Sequence, residues 1–144
     1  MAQPGEGSQT SFVVIRTNPK VVKMEDDKGG FGELEELTSR ELGAERVNVV
    51  RISLWCPDFL HYHEISEETY ICLEGEGELF LGDRVIRFNP GTRSIIRPGT
   101  LHAARPRLFG WKLVFLCVSS PAFDPADVYN DPVGRRWYPV GRRW

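Results

Sequence analysis

The folds open to this chain are limited most by how short its apolar runs are. After residue 46, stretches rich in valine, isoleucine and leucine last no longer than a β-strand before glycine, proline or a polar cluster interrupts them. Residues 46–55 make the strongest strand signal. Residues 68–74 and 76–81 follow, parted by Gly75, and Gly82-Asp83 reads as a hairpin turn between Leu81 and Arg84. Residues 84–88, 93–96, 101–104 and 111–118 complete the series. Nearer the start, 11–16 reads as a strand, 24–32 as a charged, glycine-rich loop, and 33–45 as a short helix or an irregular segment. Many short strands with close turns predict an all-β sandwich or barrel. At 144 residues the chain is the size of one domain.

All three histidines fall in two short segments of this series. In a strand, residues i and i+2 share a face, so His61 and His63 can aim two ring nitrogens at one point. Glu67 and Glu68 follow after a short polar stretch, and either could add an oxygen. His102 lies far along the chain, after the turn signal Pro98-Gly99. Three imidazoles and a carboxylate suit a divalent transition metal (Fe, Mn, Ni, Zn or Cu) better than Ca or Mg.

These residues resemble the cupin family. Its first motif, H-x-H, three or four residues, Glu, six residues, Gly, matches at His61, His63, Glu68 and Gly75. Its second, P-x-G-x-x-H, matches at Gly99 and His102, with Arg97 in place of the first proline. The resemblance implies a single-domain double-stranded β-helix, or jelly-roll, over residues 44–120. Residues 1–10 are then a disordered start, 11–43 a strand and loop extension, and 121–144 a C-terminal arm. It selects Glu68 over Glu67, because the gap to Gly75 fits. The implied metal ligands are His61, His63, Glu68 and His102, inside the barrel mouth. Alternation then places Tyr70 and Cys72 on the face of Glu68, where Tyr70 lines the cavity or fills the core. Arg97 is the candidate to reach inward and hold a substrate carboxylate, since guanidinium binds carboxylate bidentately.

What the resemblance implies about function stays divided. One class is a metalloenzyme acting on a small polar or anionic molecule, with a dioxygenase ahead of an isomerase or a lyase on a sugar or keto acid. The other is a small-ligand binding or sensing module without turnover. The sequence also excludes several classes. It has no G-x-S-x-G nucleophile motif and no phosphate-cradling glycine loop. Its net charge of −2 gives no general case for nucleic acid. No run approaches a membrane span. Three cysteines without a C-x-x-C pair read as buried thiols in a reducing cytoplasm.

The tail carries the clearest repeat: Pro132-Val133-Gly134-Arg135-Arg136-Trp137 recurs as Pro139-Val140-Gly141-Arg142-Arg143-Trp144. It reads as an arm docking on a neighbouring subunit, or as a tail folding back on its own barrel. With the tendency of cupins to pair through sheet faces, it suggests a homodimer.

Overall fold

The computed structural model describes residues 11–108, 110–132 and 136–137. Among the described residues eleven strands form two antiparallel sheets, and there is no α-helix. The six-stranded sheet runs β1 (Lys20–Asp26), β2 (Gly29–Glu36), β3 (Asn48–Leu54), β10 (Leu113–Ser120), β5 (Glu67–Glu74), β8 (Arg93–Ile96). The five-stranded sheet runs β11 (Tyr129–Asn130), β4 (His61–Tyr62), β9 (His102–Pro106), β6 (Gly77–Leu81), β7 (Arg84–Phe88). Chain neighbours repeatedly lie in opposite sheets, so the two layers are wound together as a jelly-roll barrel. The inward faces interdigitate as one core, in which Leu54, Leu79, Phe88, Leu113 and Phe115 are fully buried. None of the described helices is long and apolar enough to cross a membrane.

The middle of the chain follows its alternation. In β3 every second residue is buried, and in β5 Glu68, Tyr70 and Cys72 are the buried set. Gly82 makes the β6–β7 turn at φ +67°. Gly75 ends β5 at φ +86°, where a Cβ would collide with the Lys112 carbonyl oxygen.

The N-terminal third departs from the expectation. Residues 11–16 form no strand, and the first strand begins at Lys20. Residues 24–32 are not one loop: β1 and β2 pair through Asp26↔Gly29, leaving a turn of Asp27 and Lys28. Gly29 takes φ +125° where the turn enters β2, while Gly32 permits close backbone approach, since a Cβ there would sit 2.7 Å from the Ser53 carbonyl oxygen. Of 33–45, the first part completes β2. Arg40–Leu42 is a single 3-10 turn, capped by the Ser39 hydroxyl and ended at Gly43. The expected disorder of 1–10 lies outside the described residues, as does the second tail repeat.

Candidate metal centre

The two halves of the site come from opposite sheets. His61 and His102 are cross-strand partners on β4 and β9, and His63 follows two residues after His61. Glu68 reaches across from β5 in the larger sheet. Gly99 N–H donates to the His63 carbonyl at 2.6 Å, which ties the second motif's turn to the first. His61, His63, Glu68 and His102 thereby offer four ligand atoms within 4.8 Å of one another.

Backbone carbonyls orient all three rings. His61 Nδ1 lies 2.7 Å from the Phe59 oxygen, His63 Nδ1 2.8 Å from that of Asp127, and His102 Nδ1 2.7 Å from that of Thr100. A carbonyl can only accept, so each Nδ1 carries the hydrogen. In a neutral ring this leaves the Nε2 lone pair facing inward. His102 Nε2 is 2.9 Å from Glu68 Oε1. His63 Nε2 is 3.0 Å from the same oxygen but off hydrogen-bond geometry, a buried polar atom with no hydrogen-bond partner among the described residues. Inward lone pairs around a buried carboxylate make an electron-rich hole that calls for a cation. The four residues fit a divalent transition metal, three nitrogens and one oxygen in number and type.

The electrostatics have the same sense. Burial pushes the Glu68 carboxyl up, but the His102 and His63 rings, 2.9 and 3.0 Å from its Oε1, outweigh burial and hold the group well below the usual carboxylate range. Burial lowers His63, yet the Glu68 carboxylate 3.0 Å away leaves it raised on balance. Burial, followed by the charge of His102, pushes His61 down to about 3, so its ring stays neutral at physiological pH.

Several supporting groups gave no sequence signal. Asp127, buried on a short 3-10 turn, accepts the backbone N–H groups of Glu64, Ile65 and Ser66 at 2.9–3.2 Å. Its carbonyl also holds His63, so one residue fixes both the loop and the ring. Cys117 Sγ lies 3.1 Å from Glu68 Oε2, and Ser119 Oγ 3.4 Å from it. These partners on β10 align the carboxylate, and they follow from the antiparallel register Ser119↔Glu68. Alternation on strand β10 would have put Cys117 and Ser119 on one face, but only the register shows which residue they meet. Asp58 is buried and its N–H donates to the Ala104 carbonyl, and burial pushes its carboxyl up to about 6.

Tyr70 is buried, 5.7 Å from His102 and 4.8 Å from Phe115 between ring centroids, and burial pushes its hydroxyl well above its usual value. Cys72 shares its face and is buried. Arg97 stands apart: its side chain is 79% exposed and lies 3.9 Å from Glu67, on the outside.

The two sheets and their winding define the cupin fold, and the chain has it. Solved structures of the same fold include Pac13 from Streptomyces with uridine, a protein described as a nucleoside dehydratase. This match has a TM-score of 0.64 at 16% identity and covers 79% of this chain and 85% of that one. Oxalate decarboxylase from Bacillus subtilis matches with a TM-score of 0.67 at 17% identity, over 88% of this chain but 35% of the decarboxylase. No protein-family model matches the sequence, and no curated protein sequence does.

Proposed function

We propose that the barrel interior is a metal centre on His61, His63, Glu68 and His102, and that the protein is a metal-dependent enzyme of small polar or anionic molecules. The observation that carries this is the convergence of three backbone-oriented imidazoles and one carboxylate on a buried point. Three neutral imidazoles and one carboxylate leave a divalent ion net positive, and such an ion would polarise a substrate oxygen and favour anionic or enolate-forming substrates. The chain's own contribution is orientation and exclusion of water. Tyr70, kept protonated by burial, is the proposed hydrogen-bond donor to a substrate oxygen. The apolar wall of Phe88, Phe115 and Ile96 strengthens polar contacts made inside it.

Two reaction classes divide this reading. The oxygenase expected from the family resemblance is one. An elimination or decarboxylation is the other, and its support is that the named structural relatives are a dehydratase and a decarboxylase. A homodimer belongs to the same reading, with sheet faces as the contact. Arg136 and Trp137 are already engaged within their own chain, and sedimentation tests the association.

The test of function is a comparison of metal-loaded protein with its His63→Ala variant across organic acids, sugars and enolisable ketones. Conversion by the loaded protein, lost in the variant, is expected. Loss of conversion under nitrogen assigns an oxygenase; retention assigns a lyase or isomerase. Binding without conversion of any member contradicts the enzyme reading and leaves a sensing module.

A further inference from the structure

Beyond β11, Asp131, Arg136 and Trp137 lie against the barrel. Asp131 is buried and its N–H donates to the Leu60 carbonyl at 2.9 Å, which fixes the point of departure. Arg136 and Trp137 then seat in a cleft made by both sheets. Arg136 pairs with Asp26 at 2.7 Å through Nη1, donates from Nε to the Pro57 carbonyl at 2.8 Å, and stacks on Phe31 at 4.6 Å. Trp137 donates its backbone N–H to the Asp58 carbonyl at 2.8 Å. Trp137 is 7% exposed, and its indole lies between Arg105 at 3.7 Å and Phe80 at 5.6 Å. Phe59 and Arg136 form a β-bridge. Arg136 and Trp137 thus pair beside residues 57–59, and the Phe59 carbonyl holds His61.

These contacts are made by an Arg-Trp pair and its backbone, and the sequence contains the same hexapeptide a second time. We propose that this cleft is a recognition site for an Arg-Trp pair with two interchangeable occupants, Arg136–Trp137 and Arg143–Trp144, which exchange within one molecule. The aromatic and acidic walls of the cleft cannot distinguish the two pairs, because their side chains and the four residues before them are identical. What distinguishes them is tether length. From Asp131 the chain runs six residues to Trp137 and thirteen to Trp144. Loop closure at roughly the −3/2 power of length favours the nearer pair by about threefold. Either occupant keeps residues 57–59 paired and the Phe59 carbonyl in place. The repeat is then a built-in replacement for the clip beside His61.

The experiment is fluorine NMR of the full-length protein labelled with 5-fluorotryptophan, with Trp144→Phe and Trp137→Phe assigning the signals. Trp137 and Trp144 should each show a docked and an undocked resonance, with docked populations in a ratio of about 3:1. In full-length protein carrying Arg136→Ala and Trp137→Ala, the Trp144 signal should move wholly to the docked position. A Trp144 signal that stays undocked there overturns the proposal. Should that variant not fold, the unsubstituted protein decides: a docked Trp144 fraction below ~5% overturns it, against the quarter expected from tether length. A docked Trp144 fraction that rises with protein concentration also overturns it, since the occupant would then come from a second copy.

Discussion

Replacing Asp58 by asparagine in the metal-free protein should reverse a pH-dependent cost of folding. The carboxyl is buried and accepts the Phe59 N–H on Oδ1 at 2.7 Å, a hydrogen bond that an asparagine oxygen can keep. Burial raises its pKa from 3.8 to about 6. A carboxyl with a raised folded pKa binds its proton more tightly folded than unfolded. Its favourable contribution is therefore complete below pH ~4 and is lost as pH rises through ~6. Relative to low pH, the cost is roughly 1.6 kcal/mol at pH 5 and roughly 3 kcal/mol at pH 8. An amide in its place does not titrate and has no such dependence. Denaturant unfolding of chelator-treated wild type and Asp58→Asn should show the difference in stability shifting in the variant's favour by about 1.4 kcal/mol between pH 5 and pH 8. A difference that does not change with pH, or that moves the other way, refutes the assignment of a raised pKa to Asp58. Saturating divalent metal should shrink the shift, because a nearby cation favours the ionised carboxylate.

Further outcomes follow from other residues. Asp127→Ala strips three backbone N–H groups of their acceptor and should cost about 3 kcal/mol in thermal or denaturant unfolding. It should also weaken metal affinity, measured by competition with a chelator, because the carbonyl on His63 loses its anchor. Gly75→Ala forces a positive φ on a residue with a Cβ and drives that Cβ onto the Lys112 carbonyl, so a loss of about 2 kcal/mol or more is expected. Glu68, held well below its usual range, contributes stability above that range which is lost as pH falls through its folded value. Acid should accordingly weaken the metal-free fold and, by protonating ligands, release metal, read by dialysis and elemental analysis. Cys56, Cys72 and Cys117 are all buried, so a thiol reagent should react quickly only after denaturation.

The longer strands from residue 46 onward were legible because their apolar runs are short, β3 and β5 alternate, and glycine or proline marks their turns; the two-residue strands β4 and β11 were not. Nor was the β1–β2 hairpin. Its apolar residues are sparse, its turn is Asp27-Lys28, and Gly32 serves close packing against β3 rather than looping, which only a tertiary partner reveals. The histidine and glutamate spacing put four ligand atoms together, because i, i+2 geometry is local and His102 is a cross-strand partner of His61. The carbonyls that set the three tautomers carry no side-chain signature, and Asp127 lies 64 residues from the ring that its carbonyl orients. Arg97 was singled out for what a guanidinium can bind, which does not fix its direction: just after β8 it lies in solvent near Glu67. The tail repeat was visible as a repeat, but its receptor is assembled from residues on four different strands and the segment before β4.

The central claim is tested most directly by anomalous diffraction from crystals of the protein loaded with zinc or manganese. A single strong peak is predicted, about 2.0–2.2 Å from Nε2 of His61, His63 and His102 and from a carboxylate oxygen of Glu68. A fully loaded protein whose metal lies elsewhere, or binds through a histidine Nδ1, would contradict the account.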